Sequence, residues 1–222
     1  DEHRRVKGDF QIANMTYTQL GERIPLLLSG ITQGAKRVKA IVSDLKEFAR
    51  QSSPELRDMV NVNKAVKTAV GLVSNLMKKS TNRFSAVYEP DVPLVKGNIQ
   101  RIEQVIINLL VNSCEALSDN HQAIVVSTAY DSESDCVIVE IQDEGEGMTP
   151  EVLHRIKDPF FTTKRDSGGT GLGLAISDRI ITDHGGNMVF DSTIGYGTFV
   201  KVSLPLGSKR NHTSRTANGR IT

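Results

Sequence analysis

The chain has 222 residues, of which 38% are hydrophobic and 24% are charged, and its formal net charge is +1 at pH 7. This composition suits a packed domain with a smaller appendage, and the small net charge argues against a nucleic-acid partner. The two cysteines, Cys114 and Cys136, are too few for a disulfide framework or a zinc site and predict buried, reduced thiols. No apolar run approaches the ~20 residues of a membrane span. We therefore expect a cytoplasmic chain, with any membrane contact made only through regions absent from it.

An apolar seam begins at Ile24 and continues for more than three heptads. Its members alternate spacings of four and three residues, as in a coiled coil or helical bundle; they are Ile24, Leu28, Ile31, Ala35, Val38, Val42, Leu45 and Ala49. Pro54 and the polar residues before it predict the end of this helix, because proline disfavours helical geometry in the residue that precedes it. We predict a helical region over residues 1–53, with a helix at about 22–50, and a domain boundary after it.

A second set of elements occupies residues 54–206 and is followed by a tail, 207–222, that we expect to be disordered. Apolar spacing predicts helices at Val62–Met77, Asn98–Asn120 and Leu172–His184, and strands at Phe84–Glu89, Ala123–Ala129, Cys136–Gln142, Asn187–Asp191 and Thr198–Leu204. This order indicates an α+β fold, a two-layer α/β sandwich in which helices cover one face of a mixed sheet. Residues 143–170 are predicted to form a long loop, which is usually functional or mobile.

Two asparagines mark the helix that begins at Asn98. Asn108 and Asn112 are four residues apart and therefore stack on one face of that helix. An amide oxygen is a neutral, hard ligand that suits a magnesium ion bridging phosphates. Two asparagines on a solvated helix surface would show the same spacing.

Two glycine-rich segments follow. In Asp143–Met148, a carboxylate at the end of a strand can accept a hydrogen bond from the exocyclic amine of adenine, and the glycines let the backbone approach a flat ring; an ordinary acidic turn is the alternative. In Gly168–Leu174, backbone N–H groups at a helix start can bind phosphate. The spacing matches neither a P-loop nor a Rossmann fingerprint. Between them, the adjacent aromatics of Asp158–Lys164 predict either a lid, with Lys164 near a terminal phosphate, or a loop anchored on the core.

In this order and within residues 101–174, the four motifs resemble the catalytic domain of histidine kinases, in the superfamily shared with gyrase, a heat-shock chaperone and mismatch-repair ATPases. Residues 104–112 look like its asparagine box, 143–147 like its first glycine box, 159–161 like its phenylalanine box and 169–174 like its second glycine box. The resemblance covers residues 55–205 and includes the last glycine turn, 195–199. Asn108 stands where gyrase-like ATPases carry a glutamate base, which favours phosphoryl transfer to a side chain over activation of water.

The resemblance implies a protein histidine kinase that uses ATP and Mg²⁺. Asp143 would bind the adenine amine, Asn112 would be the metal ligand, and Asn108, Asn112 and Lys164 would be catalytic. The nucleotide would be contacted by Asn108, Asn112, Glu115, Asp143, Gly145, Gly147, Met148, Phe160, Thr163, Gly169, Thr170, Gly171, Leu172, Gly173, Leu174 and Thr198. Phosphoryl transfer needs mainly positioning and charge neutralisation, which such groups and a metal ion supply.

The same resemblance implies two partners, a second copy bound through a helical hairpin and the receiver domain of a response regulator. The helix that ends near Arg50 looks like the second helix of that hairpin. No histidine matches the acceptor motif, since His3 is followed by Arg4 and Arg5 and lacks the later Asn-Pro. We therefore expect a fragment that binds ATP but does not autophosphorylate, with its acceptor histidine encoded upstream.

Three other functions share parts of this pattern. A serine kinase of the anti-sigma type has the same nucleotide site, but the apolar seam that begins at Ile24 argues against it. A nucleotide-sensing interaction module would bind without catalysis, and the intact Asn112 and Asp143 disfavour it. An ATP hydrolase like gyrase would have a glutamate in place of Asn108.

Overall fold

The computed structural model describes residues 11–12, 15–49, 58–164 and 169–206, which fall into two compact units. The first unit contains the strands β1 (Gln11–Ile12) and β2 (Met15–Thr16), the helix α1 (Tyr17–Ala49) and the described part of Thr163–Thr170. The second unit contains the remaining elements. The boundary predicted after residue 53 and the tail predicted at 207–222 lie outside the described residues.

Helix α1 spans 33 residues and begins earlier than the sequence predicted. Thr16 and Gln19 form a reciprocal capping box: the Thr16 N–H donates to Gln19 Oε1 at 3.1 Å, and the Gln19 N–H donates to Thr16 Oγ1 at 3.3 Å. The large seam side chains that the structure describes are exposed in the single chain: Ile24, Leu28, Ile31, Val38, Val42 and Leu45. Among the described residues, no helix has both the length and the apolar character needed to cross a membrane.

The second unit is built on a mixed five-stranded sheet in the order β4-β6-β7-β9-β8. Its strands are β4 (Arg83–Tyr88), β6 (Ala123–Asp131), β7 (Cys136–Asp143), β8 (Asn187–Thr193) and β9 (Gly197–Pro205). β4 runs parallel to β6, and the other neighbours are antiparallel. A separate pair, β3 (Asp58–Val60) and β5 (Val95–Gly97), was not predicted because each strand has only three residues.

Helices cover one face of this sheet. They are α2 (Val62–Ser80), α3 (Ile99–Ala116), α4 (Pro150–Arg155) and α5 (Gly173–Asp183); α3 contacts β7 and α5 contacts β8. Alternate residues of the central strands are buried beneath them, among them Val139, Ile141 and Val202. On the opposite face, Glu140 pairs in register with Lys201. The predicted α+β two-layer sandwich is therefore confirmed.

The helices differ from the prediction at two places, each for a local reason. Asn98 does cap α3, since its Oδ1 accepts the Arg101 N–H at 3.1 Å. However, α3 ends at Ala116 and not near Asn120, because Leu117 is extended with ψ of 135°. The predicted loop 143–170 contains the short helix α4, which Thr149 caps by accepting the Val152 N–H at 3.2 Å.

The two cysteines differ in environment, and both are free thiols. Cys114 is buried on α3 as predicted, and burial raises the pKa of its thiol. Cys136 is half-exposed at the first position of β7, beside the β6–β7 turn, so the prediction that it is buried is wrong.

Candidate functional site

Asp143 is the last residue of β7, and its side chain points to the helix-covered face of the sheet, where it is 3% exposed. Its Oδ2 accepts a hydrogen bond from Ser113 Oγ at 2.9 Å. Its Oδ1 accepts from the N–H groups of Gly145 at 3.0 Å and Thr198 at 3.1 Å. Because these donors come from α3, from the turn after β7 and from β9, the carboxylate is fixed by three separate parts of the fold.

The turn after Asp143 packs tightly on its neighbours. A Cβ on Gly145 would lie 2.6 Å from the carbonyl oxygen of Ala116, which accepts the Glu146 N–H at 2.9 Å. Gly147 has φ of +67°, and a Cβ there would lie 2.0 Å from the carbonyl oxygen of Thr193. Only glycine fits at both positions. The structure therefore places Gly145 directly beside the Asp143 carboxylate and Gly147 against the end of β8.

A hydroxyl network joins this turn to strands β8 and β9. Ser192 Oγ accepts the Met148 N–H at 2.9 Å and donates to the carbonyl oxygen of Gly197 at 2.8 Å. The Thr198 hydroxyl lies 3.0 Å from the same oxygen, and because the Ser192 proton is already used, Thr198 is the donor. Met148 and Thr198, both expected at the adenine, thus belong to one bonded cluster with Asp143.

The middle of α3, which carries Asn108, contacts the start of α5. Asn108 Nδ2 donates to Ser177 Oγ at 3.0 Å, and a Cβ on Gly173 would lie 2.6 Å from Asn108 Oδ1. The absence of a side chain at Gly173 therefore lets α5 approach Asn108 closely. Asn112 is half-buried one turn further along α3.

The phenylalanine segment and the second glycine segment are in direct contact. The Phe160 N–H donates to the carbonyl oxygen of Gly171 at 2.9 Å. Gly171 has φ of +69°, and a Cβ there would lie 2.5 Å from the carbonyl carbon of Phe160. Phe160 is 54% exposed, whereas the Phe161 ring lies 4.4 Å from the Arg155 guanidinium.

The remaining expected site residues divide into two groups. In the second unit, Leu172 is buried, Leu174 is half-buried and Glu115 is exposed. Thr163, Lys164, Gly169 and Thr170 group with the first unit, where the Gly169 N–H donates to the carbonyl oxygen of Lys164 at 2.9 Å. The structure places Asp143 and Gly145 beside the C-terminal part of α3, and Gly173 beside Asn108 of the same helix. The nucleotide contacts of all the expected site residues stay predictions.

Sequence reasoning missed Ser113, Ser177 and Ser192, which hold the site together. Ser113 could have been found, because it lies four residues after Leu109 in the buried arc of α3, and a buried hydroxyl needs a partner. Ser177 bonds to a residue 69 positions away, and Ser192 bonds to one 44 positions away. No local sequence pattern identifies partners at such separations.

No group of three His, Cys, Asp or Glu side chains suited to a metal ion occurs in the described ranges. The residue expected to hold Mg²⁺ is an asparagine, which such a group does not include. Asn112 offers a half-buried amide oxygen on α3, between Asn108 and Ser113. One such oxygen suits an ion that keeps several waters and is otherwise bound by phosphates, so the chemistry of this position fits Mg²⁺.

Comparisons with known proteins agree with this geometry. The family model for histidine kinase-, DNA gyrase B-, and HSP90-like ATPases matches residues 97–208. The chain is 36% identical over 188 residues to a protein of Shewanella frigidimarina (strain NCIMB 400) named as a sensor protein, covering 85% of this chain and 28% of that protein. It is 31% identical over 204 residues to sporulation kinase A of Bacillus subtilis (strain 168), covering 90% of this chain and 32% of the kinase. The chain thus spans about a third or less of these relatives.

A solved structure gives the same result for the second unit. A nucleotide-free form of the catalytic domain of histidine kinase ThkA is 30% identical, with a TM-score of 0.59, and the match covers 67% of this chain and 96% of that domain. The chain belongs to the family of histidine kinase-, DNA gyrase B-, and HSP90-like ATPases, and its second unit is a catalytic domain of the histidine-kinase type.

Proposed function

We propose that this chain binds ATP with Mg²⁺ and is the catalytic part of a sensor histidine kinase. The whole protein would transfer the γ-phosphoryl group to a histidine, for relay to an aspartate of a response regulator receiver domain. The observation that carries this proposal is the double role of α3. Its Ser113 bonds to Asp143 at 2.9 Å, and its Asn108, five residues earlier, bonds to Ser177 at 3.0 Å. One helix thereby links the expected adenine and phosphate ends.

At the adenine end, the proposal is supported by the acceptor character of Asp143. An ionised carboxylate accepts hydrogen bonds and donates none. It therefore favours a base that presents an amine at that position, as adenine does, over one that presents a carbonyl, as guanine does. Thr198 and the backbone of Gly145 and Gly147 complete the surroundings of the base in this proposal.

At the phosphate end, the proposal is supported by the N-terminus of α5. The first N–H groups of a helix have no partner within the helix and carry partial positive charge, so they suit phosphate oxygens. We assign the phosphates to Gly171 and Gly173. Asn112 would hold Mg²⁺, which, when bound, neutralises phosphate charge, and Asn108 would orient the phosphates.

In the whole protein, we place this domain in the cytoplasm. We also expect the exposed seam of α1 to pack against a partner helix. Burying an apolar face stabilises association by ~25 cal/mol per Å², and the seam includes Ile31 at 69% and Val38 at 61% exposure. A second copy, bound through a helical hairpin, is the partner that this proposal requires.

Isothermal titration of the chain with ATP and with GTP, each with and without Mg²⁺, tests the proposed function. We expect ATP to bind, Mg²⁺ to strengthen that binding, and GTP to bind at least about tenfold more weakly, since a mismatched polar contact costs about 1–3 kcal/mol. Equal affinities for ATP and GTP, or no binding, would contradict the proposal.

Labelling with γ-phosphate-labelled ATP separates the alternatives. The protein that carries this chain should form an acid-labile, alkali-stable phosphohistidine, whereas the chain alone should bind ATP without labelling. An acid-stable phosphoserine on a substrate would indicate the serine kinase. Nucleotide binding with no phosphorylation of any residue in the whole protein would indicate a sensing module.

A further inference from the structure

His184 caps the C-terminus of α5, and its imidazole ring is buried, with 7% of the residue exposed. Nδ1 lies 2.7 Å from the carbonyl oxygen of Ile180, and Nε2 accepts the backbone N–H of Asn98 at 3.0 Å. A carbonyl can only accept and a peptide N–H can only donate, so Nδ1 carries the proton and Nε2 does not. Both ring nitrogens therefore form hydrogen bonds, Nδ1 with α5 and Nε2 with the N-cap of α3.

The ring also requires the absence of a side chain at the adjacent residue of β5. A Cβ on Gly97 would lie 2.6 Å from His184 Cδ2 and 2.9 Å from Nε2. The next residue, Asn98, is the N-cap of α3 and accepts the Arg101 N–H through its side chain at 3.1 Å. His184 thus holds the first residue of the helix that carries Asn108 and Asn112.

Helices α3 and α5 are consequently joined at two separated points. One is the Asn98–His184 bond and the other is the Asn108–Ser177 bond, and the two lie about 15 Å apart along α3. Two separated bonds limit both the distance and the rotation between these packed helices more closely than one bond does. The donors that fix Asp143 come instead from α3, the turn after β7 and β9.

We propose that His184 is a positioning residue for phosphate binding: from the far end of α5 it keeps Gly173 and the helix N-terminus against Asn108. This inference rests on the proposed function. Without the imidazole, the Asn98 N–H loses its partner, while the Ile180 carbonyl keeps the backbone N–H of position 184 at 3.2 Å, and α5 turns about the Ser177 bond. The phosphate contacts then weaken, while the bonds that orient Asp143 are unchanged.

Calorimetric titration with two ligands, adenosine and ATP with Mg²⁺, tests this role. For His184→Phe we expect the Kd of ATP with Mg²⁺ to rise about tenfold and that of adenosine to change by less than about twofold, as for a buried donor left without its partner. His184→Gln carries an oxygen that can accept the Asn98 N–H and should recover most of the ATP affinity. His121→Gln, an exposed histidine, is the matched control and should bind both ligands like the unaltered chain.

Gly97→Ala is an independent variant, because its Cβ displaces the ring while both ring nitrogens are retained; it should show the same selective loss for ATP. It decides the question where His184→Phe does not fold. An equal loss of adenosine and ATP affinity, or no loss, overturns the positioning role while the proposed function stands. If the unaltered chain binds neither ligand, the proposed function fails and this inference fails with it.

Discussion

The two ends of the candidate site are built in different ways. At the adenine end, one buried carboxylate receives hydrogen bonds from three parts of the fold. At the phosphate end, the described contacts are a helix start, closely packed glycines and one bond between Asn108 and Ser177. In the proposed function, selectivity for the base thus depends on one oriented side chain, whereas phosphate binding depends on where the backbone of α5 lies. A single substitution at Asp143 should therefore abolish base selectivity, whereas substitutions far from the phosphates should change phosphate binding.

The largest effect should come from Asp143→Asn. The amide oxygen can still accept the Gly145 and Thr198 N–H groups, and the Ser113 hydroxyl can reverse to accept from the amide nitrogen. The adenine amine, however, would meet a neutral group that carries a donor in place of a charged acceptor. We expect the affinities for ATP and adenosine to fall together by at least about a hundredfold, measured by calorimetric titration. Asp191→Asn, which alters an exposed carboxylate of β8, is the control. Unchanged adenosine binding by Asp143→Asn would show that Asp143 does not bind the base.

The phosphate end should respond next, and selectively, to Gly173→Ala. The added Cβ would lie 2.6 Å from Asn108 Oδ1 and would push the start of α5 away from α3. We expect ATP affinity to fall about tenfold with adenosine affinity retained, by the same titration. A loss of both ligands in equal measure would show that the two ends are not independent.

Ser113→Ala should produce a smaller change at the adenine end. It removes the bond of 2.9 Å to Asp143 Oδ2 and leaves the backbone donors of Gly145 and Thr198. We expect about a fivefold loss for adenosine and for ATP, equivalent to about 1 kcal/mol, and a lower preference for ATP over GTP. Ser74→Ala removes a hydroxyl that bonds only within α2 and should leave both affinities unaltered.

The smallest effect on binding should be that of Gly71→Ala. Gly71 lies inside α2, where an added Cβ meets nothing within 4 Å. Alanine should raise the free energy of unfolding by about 1 kcal/mol, measured by urea denaturation, without changing either affinity. If the free energy of unfolding rises and ATP affinity changes as well, phosphate binding depends on the overall stability of the domain and not only on the position of α5.

The sequence predicted most elements of the second unit because their apolar spacing is strong and local. Elements without such spacing were missed: β3 and β5 are too short, and α4 is marked only by the Thr149 cap and Pro150. The same holds for the site. Asp143 and Gly173 stand in recognisable segments, whereas His184 and Ser177 acquire their roles from residues 86 and 69 positions away, which only the tertiary fold brings near.

The pairing of Asp143 with Thr198 has a consequence for the order of folding. The two residues are 55 positions apart, and they meet only after β9 has joined β7. Contacts of long sequence separation form late, because closing the loop costs chain entropy before the contact repays it. The β6–β7 hairpin, which is local, can therefore exist before any base is recognised. Nucleotide added during refolding should increase the final yield of native chain but leave the earliest phase at the same rate.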